Sequence, residues 1–202
     1  YSNQPNYNYF GPAPKPEAVY SFIQPQFYRW QKETWKRARP PDIFFGEQRL
    51  IEGGRIEWKF PAVDSDLIDT VRPKIERILN EACDLWACPA EFGLTVTFIT
   101  RTVISGWYTN PPHSAESLVL SFYQNDGGVV YGTNTLILPS PHSVGVPANA
   151  EAQQLFERTL TLRVLANTLH RLNTVRGARR NVFWMALAAR LRESLGLEVQ
   201  SL

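Results

Sequence analysis

The 202-residue chain is poor in the residues that reaction centres draw on, with two cysteines and three histidines. No H-E-x-x-H sets two imidazoles on one helix face for zinc. No G-x-S-x-G offers a serine on a sharp strand-to-helix turn. The glycines of N-D-G-G-V-V-Y-G open a strand rather than a helix, so no helix N-terminus there faces a phosphate. No apolar run approaches the roughly 18 residues that span a bilayer. The net charge of +2 is too small by itself to imply a nucleic-acid partner. The first residue is Tyr1 and no signal-peptide pattern follows it. That reads as a processed or excised form, which leaves room for a leader or anchor upstream.

What remains is an ordinary globular composition, 44% hydrophobic and 20% charged. Residues 1–41 differ from the rest. The stretch Y-S-N-Q-P-N-Y-N-Y-F-G-P-A-P-K-P-E is dense in proline and tyrosine and favours extended backbone. It reads as an arm or linker lying across the domain that follows. Within 27–41, F-Y-R-W-Q-K-E-T-W-K-R-A-R-P-P, Trp30 and Trp35 alternate with Arg29, Lys32, Lys36, Arg37 and Arg39. The simplest reading docks the tryptophans on the core with the charges outward. The same composition suits single-stranded nucleic acid or a membrane interface.

Residues 42–202 read as a single α+β domain. A hairpin is expected around Gly53-Gly54, with Ile56, Trp58 and Phe60 at strand period. D-S-D then opens a helix that Asp64 or Ser65 can cap. Its apolar face is Leu67, Ile68, Val71, Ile75, Ile78, Leu79 and Ala82. Pro73 fits a helix that starts near Asp69 or one that kinks. Strands follow at 92–104, 117–123 and 129–138, giving an antiparallel sheet of three to five strands. A loop P-S-P-H-S-V-G-V-P precedes a helix from about Asn149 to Leu172, with Leu155, Phe156, Leu160, Val164, Leu165 and Leu169 as its stripe. A last helix carries Trp184, Leu187, Ala188, Leu191 and Leu195, and Gly196 ends it.

Cys83 and Cys88 are the only cysteines. C-x4-C is not the usual redox or zinc spacing, and no second ligand cluster accompanies it. A disulfide closes if the helix ends near Cys83 and the chain turns at Pro89. The alternative is two buried thiols. A disulfide favours an extracytoplasmic setting.

His113 and His142 share a P-H-S pattern in loops, and His170 lies near a helix end where its protonated form suits the dipole. His113, Ser114, Glu116 and His142 could make a polar site, or a serine–histidine pair, if the fold gathers them. Hydrogen bonding to backbone is the simpler role. Arg176, Arg179 and Arg180 form a compact positive loop suited to an anion or acidic partner.

The order of strands at 92–138, a long helix at 151–172 and a later helix W-M-A-L-A-A-R resembles gluzincin, or MA-like, zinc metallopeptidases. Trp184 and Ala189 suit the family's later helix in type. The chain departs from the family at the ligands. L-R-V-L-A-N stands where the metal-binding motif belongs, and Leu187 where a glutamate ligand does. Without them zinc is not held and no water is activated. The resemblance therefore implies a catalytically dead relative, similar to extracytoplasmic domains of membrane-anchored bacterial proteins. A second likeness, to NTF2-like domains, comes from the helix at 65–82 followed by strands.

The favoured function is a non-enzymatic extracytoplasmic binding or structural domain of a larger membrane-anchored protein. It would use no cofactor and no metal. Its partner would be an unidentified protein or small ligand at the cell surface or in a periplasm-like space, near a membrane. The binding candidates are Trp30, Trp35, Arg176, Arg179 and Arg180. The alternatives are a hydrolase using the loop His, Ser and Glu residues, and nucleic-acid binding through 27–39.

Overall fold

The computed structural model describes residues 19–100 and 134–172. Chain order is β1 (Phe22–Ile23), β2 (Tyr28–Gln31), β3 (Thr34–Arg37), α1 (Asp42–Phe45), β4 (Gln48–Ile51) and β5 (Ile56–Pro61). A 3-10 turn, Ala62–Asp64, leads into α2 (Ser65–Trp86). Then come β6 (Leu94–Ile99), β7 (Thr135–Pro139), α3 (Pro141–Val144), β8 (Val146–Pro147) and α4 (Ala150–Leu172). Helices and strands are both substantial, and the class is α+β. The last helix, the strand at 117–123 and the N-D-G-G turn lie outside the described residues.

The central sheet has four strands in the order β4-β5-β6-β7. β4 and β5 are the expected hairpin, antiparallel with Ile51 opposite Trp58. β6 and β7, however, join in parallel. The sheet is mixed, which corrects the expectation of an antiparallel one. The reason is the connection: the chain leaves β5, runs the length of α2 and returns as β6, and a helical crossover delivers a parallel neighbour.

Period-2 alternation sets the core. Ile56, Trp58 and Phe60 of β5 are buried, as are Leu94, Val96 and Phe98 of β6 and Leu136 and Leu138 of β7. Register aligns them, with Trp58 beside Val96 and Val96 beside Leu136. α2 supplies Ile68, Val71, Ile75, Leu79, Ala82 and Cys83 to the same cluster. The buried Trp58 indole donates its N–H to Glu76 Oε1 of α2 at 2.9 Å, so helix and sheet are joined by a polar contact as well as by packing.

α2 starts at Ser65, so Pro73 stands inside it rather than in its first turn. Proline removes the bond to the Asp69 carbonyl. Both residues are exposed, so water can satisfy that carbonyl. The expected caps behave differently. Asp64 makes no side-chain cap bond, and Ser65 Oγ donates to the Ala62 carbonyl at 2.6 Å.

α4 begins where expected. Asn149 Oδ1 accepts from the Ala152 N–H at 3.0 Å, which is an N-cap. The expected stripe is buried, but so is every residue from Thr159 to Leu169, Arg163 and Asn167 included. This is an interior helix, not a one-faced surface helix. Its hydroxyls turn inward on the helix itself: Thr159 donates to the Leu155 carbonyl at 2.7 Å and Thr168 to that of Val164 at 2.9 Å. Arg171 stacks over the Phe92 ring at 4.2 Å, and burial pushes its guanidinium below the ordinary arginine value.

The start of the described chain is strapped to this helix. β1 pairs antiparallel with β8. Ser21 N–H donates to Asn149 Oδ1 at 3.2 Å, and Asn149 Nδ2 donates to the Val19 carbonyl at 2.7 Å.

Cys83 and Cys88 form a disulfide with Cα atoms 4.9 Å apart. The helix does not end at Cys83. It continues to Trp86, and Ala87 then turns left-handed at φ 50°, ψ 49°. The Cys88 N–H donates to the Cys83 carbonyl at 2.9 Å. The Ala87 N–H turns to the same carbonyl, and this Schellman-type closure brings the fourth-from-last helical residue against the second residue beyond the end. The two cysteines occupy those positions, so C-x4-C is the spacing this helix terminus dictates. Replacing both cysteines with serine is expected to cost about 2 kcal/mol in urea unfolding. Ala87→Gly, which removes the left-handed penalty on an L-residue, is expected to return up to about 1 kcal/mol. A loss on Ala87→Gly would contradict the left-handed cap.

Candidate functional site

Of the histidine–serine–glutamate candidates only His142 falls within the described residues. His113, Ser114 and Glu116 lie outside them, as do Arg176, Arg179 and Arg180. His142 sits not in an open loop but in α3, the short turn directly after β7. Its partner is Asp64, which sequence reading took for a helix cap. His142 Nδ1 is 2.7 Å from Asp64 Oδ1, and the His142 backbone N–H donates to the same oxygen at 3.1 Å. The Asp64 side chain is 0% exposed and that of His142 25% exposed.

The parallel strands explain the meeting. Asp64 follows the carboxyl end of β5 and His142 follows that of β7, with β6 between them. The pair therefore bridges the carboxyl edge of the sheet, where parallel sheets commonly form ligand crevices. A buried carboxylate holding an imidazole through Nδ1 is also the orienting half of a nucleophile triad. Among the described residues the other half does not address it. Ser140 and Ser143 flank His142 in sequence, yet both are buried and their hydroxyls make no hydrogen bond. Asp64 Oδ2 is buried and unpartnered too. Among the described residues no group of three His, Cys, Asp or Glu side chains gathers as a metal site requires.

Phe44 of α1 lies against His142, ring centroids 6.5 Å apart. Phe27 packs edge-on to Phe44 at 4.7 Å. Phe27 also accepts the Ala38 N–H at its carbonyl, 2.8 Å, just below the β2–β3 hairpin. The Asp64–His142 pair thus supports the base of that hairpin through two aromatic rings.

The hairpin carries Trp30 and Trp35, and they do not dock on the core. β2 and β3 form a separate two-stranded ribbon with Trp30 opposite Trp35. The rings meet edge to face at 5.3 Å and 68°, and Trp30 is 56% and Trp35 65% exposed. This overturns the expected docking. The tight loop at Lys32-Glu33, both at positive φ (45° and 61°), folds the two strands directly onto each other, as in a type I′ turn. Each indole then finds the other before it finds the core. Tyr28 and Arg37, paired across the strands, share the Trp face; Arg29 and Lys36, likewise paired, share the opposite one.

No family model, curated protein or solved structure matches the chain. Among the described residues no helix is long and apolar enough to cross a membrane.

Asp64→Ala strips the acceptor from the His142 N–H and frees the ring, and is expected to cost about 2 kcal/mol. Trp30→Ala, exposed and outside the core, is expected to shift global stability by less than about 1 kcal/mol. Chemical denaturation of both variants measures the contrast.

Proposed function

We propose that this chain is a non-enzymatic extracytoplasmic binding domain of a larger membrane-anchored protein, and that the β2–β3 hairpin is its binding element. The observation that carries this reading is the Trp30–Trp35 pair, more than half exposed on a ribbon that stands off the core. Clustered aromatic surface of this kind marks contact sites. The Cys83–Cys88 disulfide supports an oxidising compartment. A gluzincin-type domain that has lost its metal belongs to the same reading. At 162–167 of the long helix the buried polar members are Arg163 and Asn167, and neither side chain is a zinc ligand.

The test is made in intact source cells. A membrane-impermeant lysine reagent is expected to label the exposed Lys32 and Lys36, and thiol labelling is expected to find Cys83 and Cys88 oxidised. Protein recovered from the cytosol with both thiols free would sink the reading.

One observation favours a second reading, a hydrolase. The buried Asp64 orients His142 at the carboxyl edge of the sheet, as a general base is oriented. On that reading a broad serine-hydrolase probe forms an adduct that His142→Asn abolishes. On the binding-domain reading the folded protein stays unmodified.

A further inference from the structure

The hairpin's charges point to what it binds, and the argument rests on the binding-domain reading above. Arg29 and Lys36 stand directly opposite each other across the ribbon. Like charges so placed repel. Neither they nor Lys32 and Arg39 have an ion pair with any described residue, and Glu33 is the only acid between residues 28 and 39. The ribbon therefore holds a cluster of cations that form no ion pair with any described residue and far outnumber its one acid, beside an aromatic face made by Tyr28, Trp30 and Trp35, each more than half exposed. A polyanionic surface with an apolar layer beneath it satisfies both features.

We infer that the β2–β3 hairpin docks on the surface of an anionic phospholipid bilayer. Tyr28, Trp30 and Trp35 enter the headgroup boundary, where amphipathic rings are favoured. The cations bind lipid phosphates. Arg29 and Lys36 sit on the ribbon's other face, but adjacent strands are only about 4.8 Å apart. Their long stems can bend around so narrow an edge and keep their heads at the phosphates. A single strand of nucleic acid would use the same cations but needs flat ring faces on which successive bases stack. The edge-to-face contact of Trp30 with Trp35 turns the two rings across each other, so they make no common platform. The bilayer boundary needs none.

Co-sedimentation with phosphatidylglycerol–phosphatidylcholine vesicles tests this, with pure phosphatidylcholine vesicles and an oligothymidylate as the other arms. Binding is expected on the anionic vesicles, weakening as salt rises, and little on the zwitterionic ones. Arg29→Gln with Lys36→Gln is expected to lower partitioning about 25-fold, since each surface cation contributes about a fivefold factor. That variant keeps the Trp pair, whose coupled near-ultraviolet dichroism reports an intact hairpin. Trp30→Ala with Trp35→Ala is expected to abolish binding. Equal partitioning of wild type and both variants would overturn the inference. So would absence of anionic-vesicle binding, or binding to the oligonucleotide alone. Surface labelling in cells without vesicle binding removes this inference and leaves the binding-domain reading. Cytosolic, reduced protein removes the reading beneath it.

Discussion

A carboxylate cut off from water must find its donors inside the protein, and Asp64 finds both on one residue. The His142 ring nitrogen and backbone N–H converge on a single Asp64 oxygen. This contact closes the carboxyl edge of the parallel strands, tying the exit of β5 to the exit of β7 across the end of β6. It also fixes the start of α2, because Asp64 is the residue before the helix. Phe44 rests on the histidine, and Phe27 on Phe44. The base of the exposed hairpin therefore inherits its position from a polar contact buried beside the core. The contact engages one oxygen of the carboxylate, and the other has no hydrogen-bond partner among the described residues.

The same economy appears at the other end of α2. Ala87 takes the left-handed conformation that glycine usually supplies. A side chain there is a cost, and the disulfide across the same closure offsets it. The bond does not staple two distant segments. It locks a helix terminus that the backbone already folds back on itself, through the Cys88 to Cys83 hydrogen bond. That terminus leads to Phe92 and into β6, and Arg171 of α4 lies over the Phe92 ring. The disulfide thus fixes the entry of the central strand, while Asp64–His142 bridges the far side of that strand's carboxyl end.

Features set by short-range pattern were legible in the residues. Period-2 alternation located β5 and β6, helical spacing located α2, and Asn149 marked the start of α4. Features set by what meets what were not. The D-S-D run looked like a cap because capping is the local use of an aspartate; nothing nearby announced a histidine 78 residues on. Strand direction was missed because alternation is the same in parallel and antiparallel strands. Only the helical connection between β5 and β6 carried that signal. The stripe on α4 was read correctly, but a stripe cannot reveal what covers the remaining faces. In the hairpin, Lys32-Glu33 is not the Asn-Gly that usually marks a two-residue loop, so the tryptophans looked free to reach the core.

That unusual loop bears on what the hairpin is for. Positive φ at two side-chain-bearing residues costs backbone energy, and Arg29 facing Lys36 adds repulsion. Against these stand one Trp–Trp contact and a four-pair ladder. A two-stranded ribbon is marginal on its own, and every strand position of this one except Arg37 is exposed. If stability alone had shaped it, the opposed cations and solvent-facing indoles would be the first features to change. Their coexistence makes sense where the ribbon completes its interactions against an external surface. That surface must supply negative charge for the cations and a low-polarity layer for the rings, at the same depth and over the width of two strands.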